Sequence, residues 1–253
     1  MINAYFLSDV HLDFIDTAPE REKREQFAAF LKKISADVTH LYLVGDLFDF
    51  WFEYKYVIPK AFFEFLKIFS DMTARGVEIH YLAGNHDFYA GTFFEEHLGM
   101  RTWPDSYEFE LGGKRFYLYH GDGIGKKDGA YRVLKKILRN RLNLRLFRWL
   151  HPDLGIPLAR RLSGSSRHYT SQLNHLRDES DYKAFAGQRF SEGFDFVMMG
   201  HRHNPLVHEK DEHRYINLGD WIRYRTFAYF NGKELSFMRF HEGEMTVFET
   251  GTQ

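Results

Sequence analysis

Apolar positions along the chain follow two rhythms. Ile2 to Leu7, His40 to Val44 and Glu78 to Leu82 are short, mostly apolar runs that predict buried strands. Between them, Glu20 to Ser35 alternates charged and apolar residues at helical spacing. Pro59 opens a second helix, with Phe62, Phe63, Phe65, Leu66 and Phe69 on one stripe. Strand, helix, strand, helix, strand predicts an α/β layer fold. After Leu98 the rhythm changes. Tyr107 to Leu111 and Arg115 to His120, joined through Gly112-Gly113, predict a hairpin. Tyr131 to Leu150 predicts a helix, and strands are expected over 194–199, 214–217, 227–230, 235–240 and 245–249. There is no internal repeat. The simplest organisation is a core of residues 1–122 and 191–253 interrupted by a helical insert over 123–190.

Composition narrows the class. A chain of 253 residues with 44% hydrophobic and 27% charged residues is long enough to bury a core and excludes wholesale disorder. The absence of cysteine excludes disulfides, zinc–cysteine sites and thiol catalysis. No apolar run reaches the roughly 20 residues of a spanning helix. The N-terminus lacks the basic and apolar pattern of a signal peptide, so secretion is not expected.

The net charge of −1 conceals an asymmetry. From Gly123 to Thr170 twelve basic residues face only Asp128 and Asp153. Within Tyr131 to Leu150, leucines, Phe147 and Trp149 alternate with Arg and Lys and no acid. That pattern fits a helix lying on an anionic lipid surface. Nucleic acid is not expected, because phosphate-tracking surfaces carry polar neighbours rather than this many leucines.

The candidate chemistry sits where strands end, the place at which α/β sheets present ligands. Successive strands stop in Asp9-Val10-His11, Gly45-Asp46-Leu47-Phe48-Asp49, Gly84-Asn85-His86-Asp87, His120-Gly121-Asp122 and Gly200-His201-Arg202-His203. One such loop is commonplace; five in succession are not. Imidazole, carboxylate and amide oxygen without sulfur suit Mn²⁺, Fe or Zn²⁺. Seven donors are too many for one ion and right for two sharing a carboxylate, an arrangement that clamps an in-line displacement at phosphorus. Gly125-Lys126-Lys127 lacks the remaining elements of a phosphate-binding loop, and Gly164-Ser165-Ser166-Arg167-His168 lacks those of a nucleophile elbow.

The ordered series from Asp9 to His203, with Asn217-Leu218-Gly219, resembles the calcineurin-like metallophosphoesterase superfamily. The resemblance implies a four-layer αββα metallophosphoesterase sandwich with a helical cap insert and a dinuclear site at its edge. One ion would take Asp9, His11, Asp46 and His203; the other would take Asp46, Asn85, His120 and His201. The stretches Gly45 to Trp51, Asn85 to Phe88 and His120 to Asp122, and the insert after them, are most similar to UDP-2,3-diacylglucosamine pyrophosphohydrolases. That likeness implies release of 2,3-diacylglucosamine 1-phosphate and UMP, two divalent ions with Mn²⁺ preferred, and peripheral contact with the inner face of the cytoplasmic membrane. It also implies substrate contacts by Asn85, His86, Asp128, Tyr131, Ser166 and Thr170.

Two departures occur together. The best-known members carry Arg and Glu where this chain has His86 and Asp49. The wider superfamily uses such a His, oriented by an Asp, on the transition state, which makes His86 and Asp49 the candidate catalytic dyad. A basic residue expected near Leu173 is also missing. The competing expectations are a phosphomonoesterase or phosphodiesterase acting on another nucleotide or ester, a nuclease using the basic segment, and a non-catalytic scaffold. The other nine histidines, among them His40, His80 and His97, fit no motif and are expected to be structural or solvated.

Overall fold

The computed structural model describes residues 1–89, 91–125, 140–161 and 179–249. The anticipated strands form two stacked sheets. The first contains seven strands in the order β14-β13-β12-β1-β2-β4-β6. Its centre, β1 (Ala4–Leu7), β2 (His40–Val44), β4 (Glu78–Leu82) and β6 (Arg101–Trp103), is parallel. On the other side of β1, β12 (Thr226–Phe230), β13 (Leu235–His241) and β14 (Glu244–Val247) add antiparallel. The second sheet runs β10-β11-β9-β8-β7. It comprises β7 (Ser106–Leu111), β8 (Lys114–Tyr119), β9 (Phe196–Met199), β10 (Leu206–Lys210) and β11 (His213–Asn217). A two-stranded ribbon pairs β3 (Trp51–Phe52) with β5 (Asp87–Tyr89).

Period-two alternation explains the stacking. Tyr5, Leu7, Leu41 and Leu43 face one way, onto Phe27, Phe30 and Leu31 of α1 (Ala18–Ile34) and Phe65 and Phe69 of α2 (Phe63–Ala74). Ala4, Phe6, Tyr42 and Val44 face the other way, onto Phe116, Leu118, Phe196 and Met198 of the second sheet. That sheet's outer residues, Tyr117, Val197, Met199 and Tyr215, are covered by Tyr182, Ala186 and Phe190 of the helix Ser180–Ser191. Helix, sheet, sheet, helix is the expected four-layer sandwich. Strands buried on both faces read as continuous apolar runs, which is why the central ones were legible.

Several short elements were not anticipated: β3, β5, β6, β10 and α3 (Phe93–Leu98). β3, β5, β6 and α3 are too brief for periodicity to register, and β10 (Leu206–Lys210) is a half-exposed edge strand without an apolar run. The single helix expected over Tyr131 to Leu150 is a correction. Residues 126–139 lie outside the described residues, but Asn140 is extended (φ −66°, ψ 134°), and a new helix, α4 (Arg141–Trp149), starts after it. Asn140 Oδ1 accepts the Leu142 N–H at 2.9 Å, which satisfies one of the orphan donors of a helix start. Leu150 is extended again, and a second helical segment, α5, runs over 152–161. These helices pack on the ribbon through Leu144, Phe147, Ile156 and Ala159 against Phe50, Phe52 and Tyr54. No helix among the described residues is long and apolar enough to cross a membrane.

One histidine outside every motif belongs to the core. His80 is buried between the rings of Tyr42 (4.9 Å) and Tyr107 (4.8 Å) and accepts the Trp103 indole N–H at 3.2 Å. Burial, with Arg101 nearby, pushes its pKa down to about 4 from 6.5. The unfolded chain therefore binds this proton first as pH falls below 6.5. Stability present at neutral pH is lost between 6.5 and 4, by about 3 kcal/mol from this group. Denaturant unfolding at pH 7 and pH 4 should show a smaller loss in His80→Phe than in the parent. Equal losses would remove His80 as an acid-sensitive group.

Candidate metal centre

Five strands deliver the site: β1, β2 and β4 of the first sheet and β8 and β9 of the second. Each ends at the same edge, and the loops beyond them interlock. His11 N–H donates to the Asp46 carbonyl at 3.0 Å beside the first sheet, the Gly200 N–H donates to the His120 carbonyl at 3.0 Å beside the second, and the His201 N–H donates to Asp9 Oδ2 at 2.8 Å between the two. Asp87 Oδ2 accepts the N–H groups of Asp46 (2.8 Å) and Gly84 (2.9 Å), tying the second loop to the third. Close approach requires glycine here. A Cβ on Gly84 would lie 2.1 Å from Asp46 Oδ1.

The backbone is unusual where the donors sit. Asp9, His11, Asp46, His201 and His203 all have φ between 49° and 66°, the left-handed region that side chains seldom adopt. Among the described residues only three other non-glycine positions do so. Local strain of this kind persists when surrounding bonds over-determine it, and it concentrates at functional sites.

Each buried carboxylate is held by one oxygen and presents the other. Asp9 Oδ2 accepts from Ser8 Oγ (2.6 Å) and from the His201 N–H (2.8 Å); its Oδ1 lies 3.3 Å from His203 Nε2 and 3.5 Å from His11 Nε2. Asp46 Oδ1 accepts the His86 N–H at 2.8 Å. Its Oδ2 lies 3.3 Å from His120 Nε2 and 3.6 Å from His11 Nε2. Asn85 Oδ1 is 3.0 Å from His120 Nε2 and 2.8 Å from His201 Nδ1. Three overlapping groups lie within ligand distance: Asp9, His11 and His203; Asp9, Asp46 and His120; and His11, Asp46 and His86. Asn85 Oδ1 adjoins His120 and His201, and Asp46 Oδ2 lies beside both His11 and His120.

His86 and Asp49 stand beside the first group. The His86 ring bonds through Nδ1 to the Asp49 backbone carbonyl at 2.8 Å, leaving Nε2 4.0 Å from Asp46 Oδ2. The Asp49 carboxylate sits between two rings, 3.5 Å from His11 Nδ1 and 3.6 Å from His86 Nδ1. Asp128, Tyr131, Ser166 and Thr170 lie outside the described residues.

Electrostatics shows what the donor set lacks. Burial opposes charge on His11, but Asp49, Asp9 and Asp46 overcome it and raise its pKa to about 9. His120 is treated likewise, raised against burial to about 10, chiefly by Asp46. Asp9 is held at about 2 despite its burial by His203 and His11, and Asp46 lies well below the usual carboxylate range. Burial and the charge of His120 push His201 down to about 3. The carboxylates therefore demand positive charge, which protons supply when no ion is bound. Asp9 Oδ1 and both His11 ring nitrogens are buried without a hydrogen-bond partner. Orphaned donors, buried carboxylates and the absence of sulfur fit divalent cations, whose binding expels those protons.

Supporting groups went unread in the sequence. Asp220 Oδ2 lies 3.2 Å from His203 Nδ1, while its Oδ1 accepts the N–H groups of Ile222, Arg223 and Tyr224. A carboxylate behind a ligating imidazole fixes its tautomer and basicity. The cue existed: Gly219-Asp220 follows β11 as Gly45-Asp46 follows β2. Ser8 carried no cue, being an ordinary strand-end serine.

The calcineurin-like phosphoesterase family model matches residues 2–205. The chain belongs to the calcineurin-like phosphoesterase family. Among relatives of this phosphoesterase, the UDP-2,3-diacylglucosamine hydrolase of Porphyromonas gingivalis is 34% identical over 249 residues, covering 91% of this chain and 95% of that one. The protein of the same name from Haemophilus influenzae is 29% identical over 225 residues, covering 87% and 91%. The fold is shared with vacuolar protein sorting 29 of Cryptosporidium parvum, with a TM-score of 0.51 at 13% identity over 98% of this chain and 95% of that one. As a member of this family the phosphoesterase is a metal-dependent hydrolase of phosphate esters or anhydrides.

Proposed function

We propose that this phosphoesterase hydrolyses the pyrophosphate of UDP-2,3-diacylglucosamine, releasing 2,3-diacylglucosamine 1-phosphate and UMP. The observation that carries the reading is an apolar surface beside a dinuclear-type site. Leu142, Leu146 and Trp149 of α4 recur at i, i+4 and i+7 and point outward, as do Leu154 and Leu158 of α5. All five are at least 50% exposed, and Trp149 is 89% exposed. An enzyme of soluble nucleotides has no use for such a face. Acyl chains and the surface of an anionic bilayer do, and exposed Arg145 on the same helix complements the headgroups. This reading places the enzyme peripherally on the inner face of the cytoplasmic membrane, with residues 123–190 as a cap contributing Asp128, Tyr131, Ser166 and Thr170 to substrate binding.

When bound, two divalent ions, Mn²⁺ before Fe or Zn²⁺, supply Lewis acidity and make water a competent nucleophile. The chain's own groups do the rest. Asp46, held by the His86 N–H, keeps the two donor groups in register. His86 donates its Nδ1–H to the Asp49 carbonyl and keeps Nε2 on the side of Asp46. Burial lowers its pKa against the pull of Asp46 and Asp49, so Nε2 takes up a proton as water is deprotonated, stabilises developing charge in that form and returns the proton to the departing phosphate.

The test is UMP release from UDP-2,3-diacylglucosamine in anionic vesicles with added Mn²⁺, beside hydrolysis of bis(p-nitrophenyl) phosphate. Rapid UMP release, with Trp149→Glu no longer sedimenting with the vesicles, is expected. Hydrolysis of the small ester alone would retain the site and remove the lipid substrate.

A further inference from the structure

Asp13 follows His11 by two residues and is gripped from two directions. Its N–H donates to Glu20 Oε1 at 2.9 Å and its carbonyl accepts from Arg24, while the His11 carbonyl accepts from Lys23. Lys23 Nζ in turn lies 2.7 Å from Glu20 Oε2. Three charged side chains from the start of α1 therefore hold the backbone of residues 11–13. The Asp13 carboxylate faces α5 instead. Arg160 Nε donates to Oδ1 at 2.8 Å and Arg160 Nη2 donates to Oδ2 at 3.1 Å, with the guanidinium over the Phe14 ring. Asp13 is buried and Arg160 only about a quarter exposed, with its side chain at 26%.

The rest of the α5 seam is apolar. Ile156 and Ala159 meet the Phe50, Phe52 and Tyr54 cluster, and at Gly155 an added Cβ would lie 2.7 Å from Tyr54 Oη. Apolar contacts resist separation but are non-directional. A two-pronged guanidinium–carboxylate pair fixes orientation and position along the helix as well. The opposite side of the same helix carries exposed Leu154 and Leu158.

The geometry points to Arg160 as a positioning residue that locks the apolar face of α4 and α5 to the loop bearing Asp9 and His11, so that acylated phosphoanhydrides, but not small esters, depend on it. The dependence on acylated substrate rests on the function proposed above; the lock itself does not. It spans 147 residues and joins the helix carrying Leu154 and Leu158 to the loop that follows β1.

Arg160→Gln and Arg160→Lys, loaded with Mn²⁺, are compared with the parent on UDP-2,3-diacylglucosamine and on bis(p-nitrophenyl) phosphate. On the UDP-lipid, kcat/KM should fall by about 100-fold in Arg160→Gln, carried mainly by KM, because a displacement of about 1 Å remote from the chemistry has effects of that size. Arg160→Lys, which keeps charge without the fork, should fall less. Small-ester turnover and metal content should not change. Equal losses on both substrates, a parallel loss of metal, or no loss would overturn the proposal. Hydrogen exchange tests the lock without any substrate: amides over 152–161 should exchange faster in Arg160→Gln while β1 and β2 stay protected. Unchanged exchange would refute it. If the parent itself releases no UMP, the substrate reading falls and the exchange result alone supports or refutes the lock.

Discussion

Asp46→Asn is expected to abolish turnover of every phosphate substrate and to empty both ion positions together. The reason is the central placement of Oδ2, 3.3 Å from His120 Nε2 and 3.6 Å from His11 Nε2, which puts one oxygen beside donors of both expected ion sets. Losing a supporting group behind a ligand typically costs roughly 10–100-fold in affinity or activity. Losing a donor shared by two ions should go well beyond that. Asparagine keeps the shape and can still accept the His86 N–H through its amide oxygen, so the loop should survive. The measurement is metal content by elemental analysis beside kcat on UDP-2,3-diacylglucosamine and on a small ester, with thermal unfolding as the control. Retention of one ion per chain would show that the two groups do not share Asp46.

His86→Ala should behave differently. Turnover is expected to fall by about 100- to 1000-fold, the range for removing one preorganised group that meets developing charge, while metal content stays at the parental level. Nδ1 is committed to the Asp49 carbonyl at 2.8 Å, while Nε2 is 4.0 Å from Asp46 Oδ2 and the ring is close enough to His11 and Asp46 to share an ion, so metal content is the deciding readout. The proposed function gives the ring to the transition state and the ions to the other seven side chains. His86→Arg, which puts a fixed cation in the same place, should recover part of the lost rate. Parallel loss of metal and activity in His86→Ala would assign the ring to holding the ions instead.

The fold was legible where its determinants are local. Apolar runs such as His40 to Val44 announce a strand whatever surrounds them, because their residues are buried on both faces. Short β3, β5 and β6 were not legible, since two or three residues cannot display a period. The helix expected to continue from Tyr131 through Leu150 failed for a different reason. Its apolar spacing passes through Asn140 unbroken, and only the side chain's use as a cap reveals the break.

The candidate site divides in the same way. Sequence alone determined the chemical types and their order: five strand ends bearing Asp, Asn or His, and an insert rich in leucine and arginine. Glycine spacing and strand periodicity are properties of neighbouring residues and need no partner to be read. The tertiary structure decided which oxygen of Asp9 is held by Ser8 and His201, that Asp220 backs His203, that five donor residues take left-handed backbone, and that Asp13 meets Arg160. Those facts depend on strand order, register and the stacking of two sheets. Contacts between residues as far apart as Asp9 and His201, 192 positions, arise only when the whole chain is folded.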